Sequence, residues 1–95
     1  MVINYDGSNF DEIIKERVLV DFYANWCGPC RMLSPILEGI SNEVKVLKVN
    51  VGEHQDLARK YGVMNIPCII LFENGKEVKR NVGFVPESKL REFIK

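Results

Sequence analysis

The chain has 95 residues, 46% hydrophobic and 27% charged, and its 13 basic and 13 acidic side chains cancel to a formal net charge of zero. That length supports one hydrophobic core, so a single domain over residues 1–95 is expected. Balanced, well-mixed charge argues against a nucleic-acid-binding face or a polybasic membrane contact.

The opening stretch MVINYDGSNF has no basic segment followed by a long apolar run, so no secretion signal is read there and a cytosolic location is expected. Within it, VIN is a short first strand. Ser8 or Asn9 is the predicted cap of a helix carrying Phe10, Ile13 and Ile14 on one side. VLVDFYA, Val18 to Ala24, is apolar on both parities and predicts a strand covered on both faces. Cys30 to Ser41 places Met32, Leu33, Ile36, Leu37 and Ile40 on one helical stripe, with Arg31, Ser34 and Glu38 outside it. Pro35 inside this segment predicts either a kink or a second helix capped by Ser34.

VKVLKVN, Val44 to Asn50, is the next strand. Glu53 to Tyr61 reads as a short polar helix with Leu57, Ala58 and Tyr61 facing inward, ended by Gly62; His54 on it is expected to face solvent. CIILF is another covered strand. The apolar run that contains it, Ile66 to Phe72, is far shorter than the ~18 residues a membrane helix needs. Glu73-Asn74-Gly75-Lys76 predicts a tight hairpin turn, because Asn-Gly tolerates the positive φ such turns demand. EVKRNV then returns as an antiparallel edge strand. Pro86 opens a last helix with Leu90, Phe93 and Ile94 as its inner face. The order βαβαβαββα implies an α/β fold: a central mixed sheet with helices on both faces.

Chemistry concentrates in YANWCGPCRML. Cys27 follows a covered strand and opens a helix, where unpaired backbone N–H groups and the helix dipole favour negative charge. The thiolate is the nucleophilic form of cysteine, so this position lowers the thiol pKa and raises reactivity. Cβ atoms three apart on a regular helix are ~5–6 Å apart, whereas a disulfide wants ~3.8 Å. With Cys27 as a non-helical cap residue, the two sulfurs can meet. Gly28 lets the chain turn, and Pro29 falls in the first turn, where its missing N–H does no harm. A zinc site wants four ligands, and only Cys68 and His54 remain, without ligand-like spacing. A purely structural staple would close a loop too short to stabilise much. The pattern favours a redox pair over either alternative.

The segments VLVDFYANWCGPCRMLSPIL, KVNV, YGVMNIPCIILFENGK and VGFVPESKLREFI together resemble thioredoxin over nearly the whole chain. The resemblance implies the thioredoxin fold and a protein-disulfide reductase working through a reversible Cys27–Cys30 disulfide. It implies no metal and no cofactor. The implied partners are thioredoxin reductase and disulfide-containing proteins, and the implied state is a monomer. Cys27 would attack and Cys30 would resolve. Asp21 stands alone in its apolar strand, either solvent-facing at the strand end or buried. The resemblance favours the buried reading, with a carboxyl group whose pKa is raised and which serves as the base for Cys30. Lys48 matches a lysine near that acid and would pull its pKa back down; an exposed strand lysine is the alternative.

Trp26, next to the nucleophile, would shield the thiol and contact partners, together with Gly62, Ile66 and Gly83. Pro67 would be cis and turn the Ile66 backbone toward the cysteines, offering main-chain hydrogen bonds to an extended peptide. Three positions depart from the family pattern. Tyr23 stands where a second tryptophan is common. Gly52 stands where an aspartate is common. Cys68 replaces the usual threonine, and is expected to be a small buried apolar group, with a third reactive thiol as the alternative.

Overall fold

The segment VLVDFY becomes the middle strand of the sheet because every residue in it finds cover. Five of its six residues are buried and the last, Tyr23, is partly buried. The computed structural model describes all 95 residues, Met1–Lys95. Its elements in chain order are β1 (Val2–Asn4), α1 (Phe10–Ile13), β2 (Val18–Tyr23), α2 (Gly28–Ile40), β3 (Lys45–Asn50), α3 (Gln55–Lys60), β4 (Cys68–Glu73), β5 (Lys76–Val82) and α4 (Glu87–Phe93). This is the order expected from the sequence.

The sheet runs β1-β3-β2-β4-β5. β1 and β2 flank β3 in parallel, while β4 is antiparallel to both β2 and β5. Successive side chains of a strand point to opposite faces, and β2 shows the consequence. Val18, Val20 and Phe22 enter one core with Phe10, Ala58 and Cys68. Leu19 enters the other with Leu33, Leu37, Ile40 and Leu90. α1 and α3 therefore cover one face, and α2 and α4 the other.

The turn between β4 and β5 has Asn74 at φ 55° and Gly75 at φ 80°, the left-handed pair expected of Asn-Gly. The Asn74 and Gly75 N–H groups also donate to the Lys15 and Ile14 carbonyls, tying the hairpin to the end of α1. No helix is long and apolar enough to cross a membrane.

Several local expectations are corrected. Asn9 occupies the cap position of α1 but in a left-handed conformation, φ 64°, with no side-chain cap bond. Ser8 instead donates its hydroxyl to Asp6. α3 begins at Gln55 rather than Glu53, because the Glu53 and His54 N–H groups both bond the Asn50 carbonyl in a turn. α2 runs unbroken through Pro35, so Ser34 caps no second helix. Met32 is 62% exposed and leaves the inner stripe. Residues on a helix are about 100° apart, so Met32 falls off the side of the face defined by Leu33, Leu37 and Ile40. His54 is only partly exposed, its ring 4.8 Å from that of Tyr5.

Candidate functional site

β2 delivers the chain to the edge of the core at Ala24, and a short turn places Cys27 as the cap of α2. Cys27 has an extended backbone, φ −101° and ψ 110°, and its N–H donates to the Ala24 carbonyl. The Cys30 N–H donates to Cys27 Sγ at 3.2 Å. An orphan donor of the first helical turn is thus satisfied by sulfur, as a cap residue should do. Cys27 and Cys30 are joined in a disulfide with Cα atoms 5.3 Å apart. Both are buried, 7% and 4% exposed, so burial alone separates them little. What distinguishes them is the hydrogen bond, which is aimed at Cys27.

Ala24, Cys27 and Cys30 form a small cluster with Tyr23, Val51 and Ile66 against them. The Ile66–Pro67 bond is cis. The Gly83 N–H donates to the Pro67 carbonyl at 2.7 Å, which holds Gly83 beside that segment. Gly62, at φ 65°, closes α3 on the chain leading to Ile66. Trp26 is 75% exposed. The structure thus brings Ile66 against the cysteines and leaves Trp26 open beside them.

Asp21 lies on β2, of the same parity as Leu19 and so on the face covered by α2. It is 0% exposed, and neither carboxyl oxygen has a hydrogen-bond partner. Burial pushes its pKa up to about 7, with the nearby Lys48 ammonium pulling the other way. Lys48 is its register partner on β3. The Lys48 ammonium donates to Ser34 Oγ at 3.0 Å and sits 4.6 Å from the centre of the Tyr23 ring. Lys48 is thus partly buried, with its ammonium held by Ser34 and over the Tyr23 ring. A cleft of about 310 Å³ lined by Tyr23, Cys30, Arg31, Ser34 and Lys48 opens this region to solvent. The apolar stripe of α2 leaves Ser34 on the outer side, whereas the structure shows it only partly exposed and bonded to Lys48. The position of Ser34 four residues after Cys30, one turn along α2, was the available signal.

Cys68 is a free thiol, fully buried. It packs with Phe22 and Ala58 on the face of the sheet covered by α1 and α3, whereas Asp21, of opposite parity on β2, faces α2. Burial raises the Cys68 pKa. This is the small buried apolar group that the sequence suggested. The Gly52 N–H donates to Asn50 Oδ1 at 2.8 Å in a local turn. No three His, Cys, Asp or Glu side chains come close enough together to hold a metal ion.

The family model described as Thioredoxin matches residues 1–95. The chain belongs to the thioredoxin family. It is 42% identical to Thioredoxin C-2 of Corynebacterium nephridii over 100 residues, covering 98% of this chain and 93% of that one. It is 44% identical to a thioredoxin of Bacillus subtilis (strain 168) over 93 residues, covering 94% of this chain and 89% of the relative. A mutant thioredoxin from Halobacterium salinarum NRC-1 superposes with a TM-score of 0.92 at 38% identity, covering 98% of this chain and 87% of that chain. The thioredoxin fold follows, as does protein-disulfide oxidoreductase activity through the redox-active Cys27–Cys30 pair. Membership implies disulfide-containing substrates and a reductase partner in general.

Proposed function

We propose that the chain is one domain over residues 1–95 that reduces protein disulfides in two steps, with Cys27 attacking and Cys30 resolving. The observation that carries the assignment is the Cys30 N–H directed at Cys27 Sγ at the start of α2. That donor and the helix dipole stabilise negative charge on Cys27 in the reduced protein.

In the first step the Cys27 thiolate attacks one sulfur of the substrate disulfide. That bond breaks, a Cys27–substrate disulfide forms, and the departing sulfur leaves as a thiolate that takes a proton from water. In the second step Asp21 accepts the Cys30 proton through water. The Cys30 thiolate attacks Cys27 Sγ, the mixed disulfide breaks, and the second substrate sulfur leaves. Two electrons pass to the substrate and the protein ends with the Cys27–Cys30 disulfide. A carboxyl group with pKa about 7 exchanges protons readily near neutral pH, which suits it to this task. Lys48, held by Ser34, keeps that pKa from climbing further.

Substrate peptides would lie along Ile66 and Gly83 beside exposed Trp26, with main-chain hydrogen bonds supplying affinity independent of sequence. Gly62 shapes the approach to that segment. Gly28 and Pro29 add no charge beside the thiols, as befits a reductant. The donor of electrons is thioredoxin reductase, the working state is a monomer, and the location is the cytoplasm. The decisive experiment is insulin disulfide reduction coupled to nicotinamide-linked or ferredoxin-linked thioredoxin reductase. Turnover with one of them and none in the Cys27→Ser variant is expected. Equal rates in wild type and variant would overturn the assignment.

A further inference from the structure

Beside the cysteines, a cleft of about 380 Å³ separates Trp26 from α3, lined by Trp26, Val51, Gly52, Gln55, Arg59 and Val63. Its floor is apolar and its rim carries one cation. The helix sorts its charges by geometry. Residues four apart share a face, so Gln55 and Arg59 border this cleft, while Asp56 and Lys60 border a different one shared with α1. Arg59 is the one arginine left without a bond. Arg17, Arg31, Arg80 and Arg91 all donate to carboxylates or carbonyls, and Arg59 donates to none. Gly52 brings no side chain to the cleft, and no carboxylate of this protein lines it. The exposed Trp26 indole offers a flat apolar wall. A guanidinium with free donors on an apolar ledge recognises a carboxylate carried on a peptide.

Resting on the reading of the cysteines as a disulfide-reducing site, we propose that this cleft selects substrates bearing an acidic side chain close to the reactive cysteine. Arg59 pairs with the substrate Asp or Glu while Trp26 and Val63 cover the adjoining apolar atoms. Arg59 acts on specificity and takes no part in electron transfer.

The test uses three synthetic peptides with one internal disulfide, flanked by Glu, Gln or Lys. Reduction by the wild type, Arg59→Gln and Arg59→Glu is measured as kcat/KM at low and high salt. The wild type should favour the Glu peptide over the Lys peptide by about threefold at low salt, the size of an exposed ion pair. The preference should shrink at high salt, vanish in Arg59→Gln and reverse in Arg59→Glu. Reduction of the Gln peptide with the same ranking in all three proteins overturns the role of the cleft alone. Failure to reduce any of the peptides overturns the disulfide-reducing assignment as well.

Discussion

Asp21 and Lys48 sit opposite each other on neighbouring parallel strands, yet their charges do not close into a salt bridge: the carboxyl group has no hydrogen bond, and the ammonium donates to Ser34. The acid is left poised by burial, and the lysine moderates it from a distance.

Asp21→Asn should therefore stabilise the fold increasingly as pH rises. Folding raises the Asp21 pKa from 3.8 to about 7, so the folded state binds this proton more tightly than the unfolded state does. Relative to the Asn variant, the wild type loses stability from about pH 4 to about pH 7 and levels off above that. The full difference is on the order of 4 kcal/mol for a shift of this size. Urea denaturation of both proteins across that range measures it, and parallel profiles would mean that Asp21 is solvated. The same variant should slow the resolving step more than the attack.

Lys48→Met removes the positive charge that holds Asp21 down, so the carboxyl pKa should move above about 7. Infrared or NMR titration of the Asp21 carboxyl group reads the shift directly. Ser34→Ala should act more weakly, since it only frees the ammonium to move. A fall in the Asp21 pKa in either variant would contradict the arrangement.

Cys30→Ser should trap substrates. Attack by Cys27 survives, resolution does not, and mixed disulfides accumulate as slow-migrating species on a non-reducing gel of cell extract. In the reduced wild type, alkylation at pH 7 should label Cys27 before Cys30. Labelling of Cys30 first would exchange their roles.

Cys68→Ser should destabilise the protein by about 1–3 kcal/mol, because a hydroxyl at a fully buried apolar site lacks a partner. In the folded wild type the Cys68 thiol should resist thiol reagents until denaturant is added. Rapid labelling under native conditions would place it nearer the surface than the structure does.

The cap at Cys27 was legible because it depends on neighbours in sequence: a covered strand, a tight turn, then a helix with Pro29 in its first turn. The Asn74-Gly75 hairpin was legible for the same reason. Asp21 was not decided by its own segment. A lone acid in an apolar strand can be buried or can end the strand in solvent, and only the cover supplied by α2 and the pairing with β3 and β4 distinguishes these. Contacts between distant residues left no local trace. His54 against Tyr5 joins the two ends of an interval that sequence periodicity does not span. Lys48 reaching Ser34 likewise depends on how α2 lies over β3. Met32 shows the limit of reading a stripe: the face that meets the sheet is narrower than the run of apolar residues.

The outer strands carry a consequence for the company this protein keeps. β1 is only three residues long, and β5 presents exposed Lys76, Glu77, Lys79 and Arg80 along the opposite edge. A sheet recruits foreign strands through long, flat, uncharged edges, and neither margin offers one. A foreign strand therefore finds little to pair with along either flank, and the sheet is guarded against edge-to-edge aggregation at both margins.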